Sequence, residues 1–125
     1  MLTNVYAVMK LLPLLAPVVT ASRGTLALLS SRMASISTVG GNYGVLYRTS
    51  KAATNLLGRL AHTELAPRGG RVLLLHPGWV RTDMGGPNAE IEVDESIAGM
   101  REVIADPTRY PGGGFYDWRG QAVPW

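Results

Sequence analysis

Tyr47-Arg48-Thr49-Ser50-Lys51-Ala52-Ala53 opens the stretch whose reading decides the fold. A tyrosine and a lysine four residues apart stand one above the other if the segment is helical. The next residues have helical spacing, because Ala53, Leu56, Leu57, Leu60, Ala61 and Leu65 recur at intervals of three and four. The spacing predicts an amphipathic helix over 47–65, terminated by Pro67-Arg68-Gly69-Gly70. The positive end of a helix and a nearby ammonium both favour an ionised phenol, so a tyrosine placed there can give or take a proton near neutral pH. Alone the pair is a weak motif, since a surface tyrosine above a surface lysine has the same spacing.

Two apolar runs flank this helix. Thr25-Leu26-Ala27-Leu28-Leu29-Ser30 and Arg71-Val72-Leu73-Leu74-Leu75-His76 are short and bounded by breakers, which predicts buried strands. Residues 31–46 form a polar loop with Gly40, Gly41 and Gly44, and residues 83–92 form another with Gly85-Gly86-Pro87-Asn88. Residues 2–16 read as a mostly apolar helix with Val5, Val8, Met9, Leu12 and Leu15 on one face, kinked or ended by Pro13 and Pro17. Residues 93–105 read as a third helix with Ile97, Met100, Val103 and Ile104 inward. Asp94 and Glu95 suit its first turn, and Glu92 is a poor N-cap. Residues 114–117 read as a last short strand.

Alternating helices and apolar strands predict an α/β fold with a parallel sheet covered on both faces. In such sheets the ligand crevice lies outside the carboxyl ends of the strands. Ser30-Ser31 and His76-Pro77-Gly78 are at those ends, and Tyr47 opens the helix after the first of them. Ser31, Tyr47, Lys51 and the Pro77-Gly78 turn are thereby expected on one rim.

Composition narrows the rest. With 125 residues, 46% hydrophobic and 17% charged, the chain is one domain or part of one. The net charge of +3 comes mainly from scattered arginines with no basic run, which argues against nucleic-acid binding. The absence of cysteine excludes disulfides, thiolate catalysis and zinc–cysteine sites. His62 and His76 have no partner at metal-ligand spacing, so no metal site is expected and both read as structural. Leu11 to Val19, between Lys10 and Thr20-Ala21-Ser22, mimics a signal-peptide core. Nine uncharged residues before Lys10 and two prolines in the run favour a buried helix instead, and the run is too short to span a bilayer.

Together these residues resemble the short-chain dehydrogenase/reductase (SDR) family. Ser30-Ser31 ends a strand, Tyr47 to Ala53 matches the family's Tyr-x-x-x-Lys helix start, and Pro77-Gly78-Trp79-Val80-Arg81-Thr82 matches its Pro-Gly-x-x-x-Thr segment. Asn4 sits where the family has an asparagine in the preceding helix. The wording Ser30-Ser31-Arg32-Met33 and His76 to Met84 is similar to the carbonyl-reductase-like branch that includes C-factor-like proteins. The resemblance covers essentially the whole chain. The family's Thr-Gly-x-x-x-Gly-x-Gly turn, which cradles the cofactor pyrophosphate, and its Asn-Asn-Ala-Gly strand end do not occur in residues 1–125. Residues 1–125 therefore resemble the C-terminal part of a single Rossmann-fold domain, starting inside a helix.

The resemblance implies roles. Ser31, or Ser30 as the competing choice, would hydrogen-bond the substrate oxygen. Tyr47 would be the general acid in reduction and the base in oxidation. Lys51 would ease loss of the Tyr47 proton and bind the nicotinamide ribose. Asn4 would hold a water linking Lys51 to solvent, although on its own it reads as a helix cap. Pro77, Gly78, Val80 and Thr82 would shape the nicotinamide pocket, and Trp79, Met84 and the 85–92 loop would contact substrate. Arg81 and Asp83 read as solvated, and Trp118 and Trp125 as packing residues.

The implied protein is a cytoplasmic NAD(P)-dependent oxidoreductase, with NADP(H) favoured, acting on a small carbonyl or alcohol without nucleic-acid or membrane partners. Tight binding of NADPH by residues 1–125 alone is not expected, because the pyrophosphate cradle is missing. The alternative is a non-catalytic fragment. Its first strand would be an open sheet edge, and helices 2–16 and 47–65, the usual family dimer face, could pair it with a second copy or a full-length relative.

Overall fold

The computed structural model describes all residues, 1–125. A π-helical turn, Leu2–Tyr6, runs without a break into α1, Ala7–Ala21. Then come β1 (Thr25–Leu29), α2 (Val45–Leu65), β2 (Arg71–His76), α3 (Val93–Ala105) and β3 (Phe115–Asp117). Short 3-10 turns at Arg32–Ala34 and Ala66–Arg68 follow β1 and α2. The three strands form one parallel sheet in the order β1-β2-β3, with Thr25 opposite Arg71 and Leu74 opposite Phe115. This is the partial Rossmann-like α/β architecture that the alternating pattern predicts.

Central strand β2 has two buried faces. Leu73 and Leu75 pack with Met100, Val103 and Tyr110 on the α3 side. Val72 packs with Val19 and Leu65, and Leu74 with Phe115 and Val123. Alternating side-chain directions let one continuous apolar strand serve two layers. β1 has no partner on its outer side and stays half-exposed, with Leu29 55% exposed. The Arg71 guanidinium ties β2 to the end of α3, donating to the carbonyls of Ile104 at 2.7 Å and Val103 at 3.3 Å. A cation there satisfies carbonyls that have no partner within the helix.

Three helix details differ from the sequence reading. Pro13 and Pro17 lie inside α1 and do not end it, and the helix runs on to Ala21. Both rings are on the exposed face, where water can replace the bonds that proline cannot donate. On the same helix Val5, Val8 and Leu12 turn inward, whereas Met9 and Leu15 are exposed.

On α2, Leu56 and Leu60 point to solvent, and the buried residues are Ser50, Thr54, Asn55, Gly58 and Leu65. The sheet demands this, because a Cβ on Gly58 would stand 2.7 Å from Leu74 Cδ1. Small side chains let the helix sit close to a strand already filled with leucine.

On α3, Ile97 is exposed rather than inward, with Ser96, Met100 and Val103 buried. The end of the third helix and the position of the last strand agree with the sequence within one residue.

The helix from Leu2 to Ala21 is 20 residues long with a mean hydropathy of 1.6, and so is long and apolar enough to cross a membrane. The nine-residue run read as too short is only its middle. Here the helix is docked on α2: Asn4 Nδ2 donates to Ser50 Oγ at 3.0 Å, and Thr54 Oγ1 donates to the Asn4 carbonyl at 2.7 Å.

Candidate active site

The carboxyl ends of β1 and β2 open into a cleft of about 1100 Å³. Ser31 and Tyr47 line it on the side of β1 and α2, and Pro77, Gly78, Trp79, Val80, Thr82 and Met84 line it on the side of β2. Lys51 and Asn4 stand outside the lining. Six expected positions of the Pro77–Met84 segment are thus brought together with the serine and the tyrosine, and the lysine and asparagine support them from α2 and α1.

Each side chain has a local cause for its position. Ser31 caps the 3-10 turn, its Oγ accepting from the Met33 N–H at 3.1 Å. Its own hydroxyl proton is therefore left to donate elsewhere. Ser30 and Ser31 are both buried and both line the cleft. Ser30 Oγ donates to Asn55 Oδ1 at 2.5 Å, so its proton is committed to α2, whereas that of Ser31 is free to face the cleft. Tyr47 stands in the first turn of α2, which starts at Val45 after Gly44 takes a left-handed φ of 69°. Lys51 Nζ donates to the Leu29 carbonyl at 3.1 Å and lies 6.0 Å from the Tyr47 ring centroid. Burial lowers the Lys51 pKa from its ordinary value.

Asn4 does not cap a helix. It sits within the π-helical turn, its side chain on Ser50 and its carbonyl on Thr54. π-turns of this kind recur where a helix is shaped for a site.

The opposite wall is a folded strap. Gly78 has a φ of 88°, and a Cβ there would stand 2.8 Å from both Ile91 Cδ1 and Trp118 Cδ1. The strap is held at its root by Ser96 Oγ, which donates to the Pro77 carbonyl at 2.6 Å. Val80 pairs with Ile91 as an isolated parallel bridge. Trp79 Nε1 donates to the Gly85 carbonyl at 2.7 Å, and the Gly85 N–H donates to Thr82 Oγ1 at 3.1 Å. Arg81, read as solvated, is half-exposed yet paired with Glu92 at 2.5 Å.

Several contributors lay outside the sequence reading. Ser50, Thr54, Asn55 and Gly58 follow one another on the inner face of α2, and that run of small and polar residues at helical spacing was the available signal. Tyr43, Met33, Ile97 and Met100 also line the cleft. His76, read as structural, lines it too, and burial pushes its pKa down to about 4. Asp117 at the end of β3 is fully buried and paired with Arg32 and Arg119. Both meet Arg32, which lies 44 and 85 positions away in the chain, and no local pattern marks those contacts.

A family model described as "Enoyl-(Acyl carrier protein) reductase" matches residues 1–105. The C-signal protein of Myxococcus xanthus is 47% identical over 98 residues, covering 77% of this chain and 58% of that protein. The carbonyl reductase Sniffer of D. melanogaster superposes with a TM-score of 0.93 at 28% identity, over 99% of this chain and 55% of that one. A carbonyl reductase from Pseudomonas aeruginosa PAO1, solved in complex with NADP, gives a TM-score of 0.80 at 40% identity, over 99% of this chain and 54% of that one. The chain spans little more than half the length of these relatives. A family model over residues 1–105 and a relative 47% identical over 98 residues mean that the chain belongs to the short-chain dehydrogenase/reductase family.

Proposed function

We propose that residues 1–125 are the C-terminal part of a Rossmann-fold domain that interconverts a carbonyl and an alcohol with NAD(P)(H), NADP(H) being favoured. The observation that carries this is the joint lining of one cleft by Ser31, Tyr47 and the Pro77–Thr82 strap. Support for the cofactor comes from the P. aeruginosa relative in complex with NADP. Pro77, Gly78, Val80 and Thr82, side by side on one wall of the cleft, would hold the nicotinamide end of such a cofactor. When bound, the cofactor supplies the hydride.

The chain's own residues then hold the substrate oxygen and move one proton. Ser31 Oγ, already accepting from Met33, donates its proton as a hydrogen bond to the carbonyl oxygen. The Tyr47 phenol delivers a proton to that oxygen as the carbon is reduced, and takes it back in oxidation. Lys51 places a positive charge beside the Tyr47 ring and keeps two donors free of Leu29 for ribose hydroxyls. Asn4 holds the start of α1 on Ser50 and Thr54, within the turn that carries the Tyr47–Lys51 pair. Trp79 and Met84 would face the substrate body.

In a full-length version that includes the pyrophosphate cradle, Tyr47→Phe should abolish NADPH-dependent turnover of a carbonyl substrate and leave NADPH affinity unchanged, and unchanged turnover would sink the assignment. A second role, as a non-catalytic subunit, is favoured by the open edge of β1 and by the exposed Met9, Leu11, Leu14 and Val18 of α1 with Leu56 and Leu60 of α2. A chain that shows no turnover and co-elutes with a full-length family member would favour it, and a lone monomer in sizing would count against it.

A further inference from the structure

The turn that carries Ser31 is gripped from three elements. The Ser30 N–H donates to the Leu75 carbonyl at 2.7 Å, and Ser30 Oγ donates to Asn55 of α2. The Arg32 guanidinium reaches Asp117 at the end of β3 at 3.4 Å. The fourth contact comes from β2 again, through its last residue, His76: its Nδ1 accepts from the Arg32 N–H at 3.1 Å. Arg32 directly follows Ser31, so this bond fixes the peptide plane next to the serine that lines the cleft.

We infer that His76 is a positioning residue for Ser31, its imidazole holding the Arg32 amide so that the 31–34 turn presents the serine hydroxyl to the cleft. The inference rests on the proposed oxidoreductase role of Ser31. An acceptor at Nδ1 requires the lone pair there, which puts the ring proton on Nε2. The charged groups that face the ring are Arg32, Arg119 and Asp117. Burial and the two arginines oppose a second proton and only Asp117 favours one, so the ring is neutral and accepting at neutral pH. Asparagine can offer its Oδ1 close to the place of Nδ1, whereas leucine fills the volume and offers no acceptor.

The test compares His76→Asn and His76→Leu with the parent, by amide hydrogen exchange in residues 1–125 and, in a full-length version that includes the pyrophosphate cradle, by NADPH-dependent reduction of 4-nitrobenzaldehyde. In His76→Leu, exchange at Arg32 should rise about tenfold or more, the loss of one hydrogen bond, while the amides of β2 and α3 stay protected. In His76→Asn, exchange at Arg32 should return to near the parent value. Turnover should follow the same order, with kcat reduced about tenfold or more in His76→Leu, less than the roughly 10²–10³ of losing a donor outright. The KM for NADPH should not change. Added to His76→Leu, Ser31→Ala should cost less than it does alone, because the two residues act as a unit.

Unchanged exchange at Arg32 in His76→Leu would overturn the inference. So would a rise shared by every core amide, or equal loss in the leucine and asparagine variants, since either marks a general packing role. If Ser31→Ala has no effect on turnover in the full-length parent, the oxidoreductase role of Ser31 fails instead, and the exchange data still decide whether His76 holds the turn.

Discussion

The Lys51 ammonium donates a hydrogen bond to the Leu29 carbonyl, the last of β1, at 3.1 Å. One helix-borne cation is thus anchored to the strand end that leads into Ser31, half-buried and next to the Tyr47 ring. Burial disfavours its charged form and lowers its pKa below the ordinary 10.5. Between the lowered folded value and 10.5 the unfolded chain binds more protons than the folded one. Stability should therefore rise with pH through that window, its penalty being fully present below it and gone above it. Urea midpoints from pH 8 to 10.5 should show this rise in the parent chain and lose it in Lys51→Met. The difference between the two chains is the quantity to read. Equal slopes would show that Lys51 is not desolvated.

His76 gives the opposite end of the pH scale the same sign. Burial is the main cause of its depressed pKa of about 4, with Arg32 and Arg119 adding to it and Asp117 opposing. Between about 6.5 and 4 the unfolded chain takes up a proton that the folded chain refuses, so stability falls as pH falls through that window. A shift of this size corresponds to about 3 kcal/mol for a fully buried ring, and screening of a partly exposed one reduces it to about 2. His76→Asn should flatten the acid limb of the stability curve by about that amount relative to the parent chain. A parallel acid limb in the variant would show that carboxylates alone cause it.

What could be read from the sequence divides along physical lines. Local signals sufficed for β2 and α3, because a leucine run between Gly70 and Pro77 and an acidic first turn at Asp94-Glu95 are decided within a few residues. The rim placement of Ser31, Tyr47 and Pro77-Gly78 followed from topology, since parallel strands bring their carboxyl ends to one side. Which face of α2 is buried did not follow. Leu56 and Leu60 are apolar yet exposed, and the sheet comes so close at Gly58 that a Cβ there would press on Leu74. Periodicity reports that a helix has two faces, and close packing decides which one the sheet takes. The contacts of His76 and Asp117 with Arg32 were illegible because the fold brings together chain segments 44 and 85 positions apart, which no local pattern encodes.

Asp117 separates two sources of stability at the end of β3. Its buried carboxylate pairs with Arg32 and Arg119 and also accepts the Arg119 and Gln121 N–H groups, each at 2.9 Å. Both arginines are half-exposed and can return to water when the carboxylate is removed. The two backbone donors cannot do so as easily. Asp117→Asn keeps an acceptor for them and should cost about 1 kcal/mol in urea unfolding. Asp117→Ala leaves them unpaired and opens a small void, and should cost about 3 kcal/mol. Equal losses in the two variants would mean that the ion pairs carry the effect.

Gly78 and Gly86 separate backbone strain from crowding in the strap that walls the cleft. Both have left-handed backbones, with φ of 88° and 80°. A Cβ at Gly86 meets nothing within 4 Å, whereas one at Gly78 would press on Ile91 and Trp118 at 2.8 Å. Gly86→Ala should cost only the left-handed penalty of an L-residue, about 1 kcal/mol. Gly78→Ala carries that penalty and must also displace Ile91 or Trp118, for a total of about 3 kcal/mol. Because Ile91 bridges to Val80, the displacement should also loosen the strap, raising amide exchange at Arg81, whose N–H donates to the Ile91 carbonyl at 2.8 Å. Equal destabilisation by the two substitutions, or an Arg81 amide as protected in Gly78→Ala as in the parent chain, would show that the strap is not braced through Gly78.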